Sequence, residues 1–176
     1  MPHAADWRVE GDVIILGALR LTVERIAASH WRADERLRSW GQLPLQREHD
    51  TVLAPCAADE CLWLGAWLEE DMLEDPAVSA SPARITLRDP ANGGHAVAAL
   101  PAAYQLGTLR NALDEPAPLQ LARPLASRRL RLELECGPAR AAFNLVLLQP
   151  AAWAARAHRA PPAALGAPPP LPPRLG

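Results

Sequence analysis

Arg128-Arg129-Leu130-Arg131-Leu132-Glu133-Leu134-Glu135-Cys136 is the stretch that decides the fold class. Its apolar residues fall on every second position, so Leu130, Leu132, Leu134 and Cys136 share one face and Arg129, Arg131, Glu133 and Glu135 the other. Successive side chains of a strand point to opposite sides, and this alternation predicts a half-buried strand of an antiparallel sheet. The same period recurs upstream. From Ala18 to Glu24, Leu19, Leu21 and Val23 point inward while Arg20, Thr22 and Glu24 point outward. Between Arg84 and Arg88, Ile85 and Leu87 do the same. Phe143 to Leu148 (FNLVLL) is apolar on both faces and predicts a central strand covered on both sides.

Turn signals separate these runs. Asn92-Gly93-Gly94 follows Arg88, and Asn92-Gly93 suits the positive φ angles of a tight hairpin. Asp114-Glu115-Pro116 and Gly137-Pro138 mark two further turns. Short strands at this spacing predict an all-β fold, an antiparallel β-sandwich over residues 7–149. One or two short helices are expected beside it. Ser29 to Trp40 carries Trp31, Leu37 and Trp40 at loosely helical spacing. Pro150 to Arg159 has proline at a suitable first position and Arg156, His158 and Arg159 near the negative end of the dipole, forming a short linking helix over 150–160. Residues 1–6 read as a flexible N-terminus. Residues 161–176 (PPAALGAPPPLPPRLG) read as an extended proline-rich tail of polyproline II character that buries little.

The 176 residues suit one domain with an appendage, and 49% apolar and 22% charged residues are globular values. A net charge of −2 and a pI near 6.2 give no basic stripe for gripping phosphates, so nucleic acid is not expected as a partner. All 18 basic residues are arginines. Without lysine the chain has no Schiff-base lysine, P-loop lysine or lysine general base. The N-terminus lacks the pattern of a signal peptide, and no apolar run is long enough to span a bilayer. The expected location is cytoplasmic, with no membrane insertion. In that setting the three cysteines stay reduced.

No cofactor or metal is expected. Cys56 and Cys61, with His49 and His95, form one loose pair and no second, short of the paired motifs that make a zinc site. The acidic run Glu69, Glu70, Asp71, Glu74, Asp75 lacks calcium-loop spacing and reads as a solvated loop. Ser79, Ser81 and Ser127 sit in no nucleophile elbow, and Cys136 faces the apolar side of its strand. Trp63 and Trp67, within CLWLGAWLE, share one face of an extended strand. They suit either core filling or an aromatic platform. In the tail, Pro169, Pro172 and Arg174 fit a P-x-x-P pattern followed by a basic residue, which aromatic grooves recognise.

The segment Asp75-Pro76-Ala77-Val78-Ser79-Ala80-Ser81-Pro82-Ala83-Arg84-Ile85 resembles the D-P-x-V-S-x-x-H-A-x-I stretch of forkhead-associated (FHA) domains. Gly41 to Leu45 followed by Thr51-Val52-Leu53 is similar to the strand leading into that family's G-R turn. Gly107-Thr108, Asn111 and the strands from Pro118 to Leu134 resemble its N-G-T loop and closing strands. The resemblance runs over residues 41–149, with 65–74 as an insertion. The family binds phosphothreonine peptides through the arginine of the G-R turn and the serine of the V-S segment, helped by the N-G loop. The matching positions are Ala54-Pro55, Ser79 and Leu106-Gly107. Pro55 offers neither charge nor a backbone donor, and Pro82 replaces a structural histidine. The resemblance therefore implies a retained scaffold without its phosphate pocket.

The expected function is a non-catalytic protein-interaction module, an adaptor or structural component of an assembly, binding other proteins independently of phosphorylation. Ser79, Arg84, Trp63, Trp67, Pro169, Pro172 and Arg174 are the candidate partner-binding residues, with Arg84 and Arg88 able to reach toward a ligand from the next strand. The alternatives are a carbohydrate-binding sandwich using an exposed tryptophan face, and a small enzyme whose site is assembled from distant residues.

Overall fold

The computed structural model describes residues 6–69, 83–121, 126–166 and Pro170. Thirteen strands run in chain order: β1 (Arg8–Glu10), β2 (Val13–Leu16), β3 (Leu19–Ala27), β4 (Gln46–Glu48), β5 (Thr51–Pro55), β6 (Glu60–Leu68), β7 (Arg84–Arg88), β8 (His95–Ala99), β9 (Gln105–Leu106), β10 (Thr108–Arg110), β11 (Pro116–Pro118), β12 (Ser127–Cys136) and β13 (Ala139–Leu148). One helix, α1 (Pro150–Ala157), follows. The strands form two sheets. The smaller has the order β1-β2-β3-β6-β9, the larger β11-β10-β8-β7-β12-β13-β5-β4. The all-β sandwich is thus the observed architecture.

The alternation in β12 does what its spacing predicts. Leu130, Leu132, Leu134 and Cys136 are buried in the main core, opposite Leu19, Leu21 and Val23 of β3. Each such side chain, taken from water to full burial, contributes roughly 1.5–3 kcal/mol. β12 lies between β7 and β13, with Leu132 aligned on Leu87 and on Phe143. Gly137, at φ 58°, and Pro138 make the two-residue turn into β13. Trp7 closes one end of the core by stacking on Phe143 at 4.1 Å between centroids, with the Arg47 guanidinium 3.6 Å above its ring.

β13 is central, and its two apolar faces have two covers. Phe143, Leu145 and Leu147 enter the main core, while Val146 and Leu148 pack with Leu53 under Trp153 and Ala157 of α1. Trp153 is fully buried and its Nε1 donates to the Leu53 carbonyl at 3.0 Å. β13 pairs with β5 in parallel, whereas its pairing with β12 is antiparallel. Pro150 stands in the first turn of α1, and His158 ends the helix at φ 53°.

Ser29 to Trp40 is not the helix that its spacing suggests. Only Ala28–His30 forms a single 3-10 turn, and Asp34 takes φ 58°. The reason lies in β3, which extends beyond its pairing with β2 and leaves backbone groups free for a cross-chain partner. Trp40 N–H donates to the Arg25 carbonyl, Arg25 N–H to Gly41, and Leu43 N–H to Val23. The segment before it lies over the outer side of the smaller sheet, where Leu37, Trp31 and Trp40 meet Ile26, Cys61 and Trp63. Gln105 clamps it by accepting from the Leu37 N–H at 2.9 Å and donating to the Leu37 carbonyl at 2.8 Å.

The β7–β8 connection is longer than a two-residue hairpin. Asp89 and Gly94 close it through an N–H to carbonyl bond, and the Asp89 carboxylate caps Ala91 N–H. Asp89, 2% exposed, also receives two bonds from Arg128, at 2.7 and 3.0 Å. Arg128 further donates to the Gln120 carbonyl, so a buried ion pair ties this loop to β12.

The chain beyond α1 returns over the body. Arg159 grips Asp12 with two bonds of 3.0 and 3.1 Å and also donates to the Leu45 carbonyl. Arg25 donates to the Ala163 carbonyl and to buried Glu60, and Arg38 donates to the Pro170 carbonyl. Residues 161–166 have no regular secondary structure. No helix among the described residues is long and apolar enough to cross a membrane.

Candidate functional site

Two sheet faces carry the sequence-derived candidates. On the larger sheet, the outward residues of β7, β12 and β13 align in three rows. Arg84, Glu135 and Arg140 form one; Thr86, Glu133 and Ala142 the next; Arg88, Arg131 and Asn144 the third. Helix α1 covers only the corner holding Leu53, Val146 and Leu148, and no other described element packs over these rows. The first two rows and Arg88 line a groove of about 620 Å³, with Arg84, Arg88, Glu133 and Arg140 around it. Thr86, 8% exposed, lies beneath these longer side chains.

The charges on this face are unequally matched. Arg140 pairs with Glu135 at 2.6 Å, an exposed contact of small worth. Arg84, Arg88, Arg129 and Arg131 make no hydrogen bond or ion pair among the described residues. Glu133 is likewise without one. Arg88 and Arg131 stand directly opposite each other, a like-charge cross-strand arrangement that works against the sheet. Arg84, a candidate from sequence, is therefore in place on an exposed surface.

The second face is the outer side of the smaller sheet. Trp63 and Trp67 do share it, as their spacing requires, in rows with Glu24 and Arg20 of β3. They do not form a platform. Trp67 is 38% exposed, whereas Trp63 is 7% exposed, roofed by Trp31, Leu37 and Trp40. Gly107 packs so close that a Cβ there would stand 2.9 Å from the Trp63 Cβ. Trp63 is a core residue of a small satellite cluster, and Glu24 beside it has no warning in the sequence. Burial pushes the Glu24 carboxyl above its ordinary range, against hydrogen bonds from Ser39 and Thr22. Glu24 Oε2 and Trp63 Nε1 are both buried without a hydrogen-bond partner among the described residues.

Cys56 and Cys61 face different compartments. Cys56 lies in the main core and Cys61 in the satellite cluster under residues 31–40. Burial pushes the Cys56 thiol up to about 11 and the Cys61 thiol up to about 12. No cluster of three or more His, Cys, Asp or Glu side chains suited to a metal ion occurs among the described residues.

Of the remaining candidates, Ser79, Pro169, Pro172 and Arg174 lie outside the described residues, as do residues 1–5 and the acidic stretch from Glu70. Ala54 and Pro55, which the sequence resemblance aligns with the FHA turn arginine, are buried within β5 beside Leu147 and Leu148. Leu106 ends β9 with its side chain buried, and Gly107 separates it from β10. No family model, no curated protein and no solved structure matches this chain.

Proposed function

We propose that this chain is a non-catalytic protein-interaction module, an adaptor or structural component of an assembly, on a sandwich scaffold resembling that of FHA domains. The observation that carries this reading is the open half of the larger sheet. It is exposed and fringed by Arg84 and Arg88, which make no hydrogen bond or ion pair among the described residues. Enclosed chemistry needs a cleft that shields reacting groups from water. An exposed sheet face with long polar side chains is suited instead to contact with another macromolecule.

The proposed binding is independent of phosphorylation. A phosphate needs several charged or backbone donors converging on one point. At the position of the FHA turn arginine this chain buries Pro55, which has no N–H, inside a strand. The burial of Trp63 leaves the carbohydrate-platform reading without a paired aromatic surface.

The test is a titration of a phosphothreonine peptide library against its unmodified counterpart, using the full chain. One serine hydroxyl contributes about 1 kcal/mol, so any preference for phosphorylated peptide should stay under about fivefold. A preference of about a hundredfold or more would overturn the reading. In parallel, partners recovered from cells with the tagged chain should persist after phosphatase treatment of the lysate; their loss would count against it.

A further inference from the structure

We infer that the arginine face of the larger sheet docks an extended, net-acidic protein segment bearing a basic residue between two acids. This rests on the interaction-module reading and names the partner's chemistry. Over β7, β12 and β13, the outward-facing charges are five arginines (Arg84, Arg88, Arg129, Arg131, Arg140) and two glutamates (Glu133, Glu135). That leaves the face three charges positive on a chain whose net charge is −2. The surface is locally opposite in sign to the whole molecule.

The arrangement is more specific than its sum. Arg84 and Arg88 lie on one strand four residues apart, about 13 Å at the rise of a β-strand. Between them stands Thr86, and opposite Thr86 on β12 stands Glu133, exposed and without a described partner. An extended segment places alternate side chains on one side, so acid, base and acid at alternate positions span the same 13 Å or so. Its acids would meet Arg84 and Arg88, and its base would meet Glu133. The second guanidinium of the opposed pair, Arg131, reinforces the Arg88 end.

The retained opposition of Arg88 and Arg131 fits this role. Like charges directly across a pair of strands weaken a sheet, and a carboxylate laid between them removes that penalty only in the complex. A nucleic acid or free phosphate would match the arginines but would bring further negative charge against Glu133 and Glu135. The interleaved glutamates favour a mixed-charge polypeptide.

The experiment uses the full chain and a fluorescent peptide with glutamate, lysine and glutamate at alternate positions, against a scrambled peptide of equal charge. Fluorescence anisotropy should show at least about a tenfold preference for the ordered peptide, weakening as salt is raised. Arg88→Glu should reduce that binding at least about tenfold while raising the melting temperature, because it converts a like-charge pair with Arg131 into an opposite-charge one. Arg8→Glu, on the other sheet, should leave binding unchanged. Equal binding of ordered and scrambled peptides would overturn the inference, as would an undiminished affinity in Arg88→Glu. Tighter binding of single-stranded DNA, or displacement by millimolar inorganic phosphate, would also overturn it. Partners recovered from cells that survive Arg88→Glu would remove this surface while leaving the interaction-module reading intact.

Discussion

Replacing Trp153 by alanine asks whether α1 is a connector or part of the body. The side chain is fully buried against Leu53, Val146 and Leu148, and its indole N–H is bonded to the Leu53 carbonyl. Truncating a buried tryptophan to alanine costs about 3–5 kcal/mol from lost transfer and the cavity left behind. At roughly 2–4 °C per kcal/mol for a chain of this size, the melting temperature should fall by about 6–20 °C. Trp153→Phe keeps most of the volume and loses the donor with a smaller part of the packing, so about 1–2 kcal/mol and a few degrees are expected. The assay is thermal unfolding followed by far-UV circular dichroism, with both variants scanned at one concentration. A fall of less than about 4 °C for Trp153→Ala would refute the reasoning and make the helix a peripheral linker. Equal losses for the two variants would show that the hydrogen bond, rather than packing, secures the helix.

Two further outcomes follow from titratable groups. Burial raises the Asp12 carboxyl, but the hydrogen bond and charge of Arg159 and the Leu45 N–H outweigh it, leaving the pKa below its ordinary 3.8. A carboxyl depressed in the folded state stabilises above its unfolded pKa and loses that contribution as pH falls through the folded one. The melting-temperature difference between wild type and Arg159→Ala should therefore be constant above about pH 5 and shrink below about pH 3; a difference that widens in acid would contradict the Asp12 contact. With the Cys56 and Cys61 thiols pushed up to about 11 and about 12, a disulfide reagent at pH 8 should leave both unmodified for minutes in the folded chain. Full reaction of all three thiols is expected in denaturant, and fast labelling of Cys61 without it would show that the cover formed by residues 31–40 opens readily.

The fold was most legible where one strand's environment is written in its own residues. RRLRLELEC alternates without interruption, and β12 exposes and buries its side chains accordingly. FNLVLL is apolar on both faces because each face is covered, one by the core and one by α1. Ser29 to Trp40 was illegible for the opposite reason. Its conformation is set by the unpaired end of β3 and by Ile26, Cys61 and Trp63, none of which lies within the segment. Trp63 and Trp67 illustrate the same limit, since alternation gives the shared face and says nothing about what covers one end of it. On the candidate surface, Arg84 and Arg88 could be named from their own strand. Their opposition to Glu135 and Arg131 depends on the register between β7 and β12, which no local pattern encodes.

The parallel contact of β5 with β13 has a consequence for biosynthesis. Leu53 aligns with Val146 and accepts from Trp153, a partner 100 residues later in the chain. At translation rates of about 5–20 residues per second, the ribosome delivers that partner roughly 5–20 s after Leu53 has been made. Throughout that interval β5 has only β4 beside it, with a hydrophobic strand edge open to any other nascent chain nearby. Closure of the larger sheet is therefore a late event, set by the arrival of the C-terminal strand and helix, and slowing elongation over residues 56–143 would lengthen the exposure.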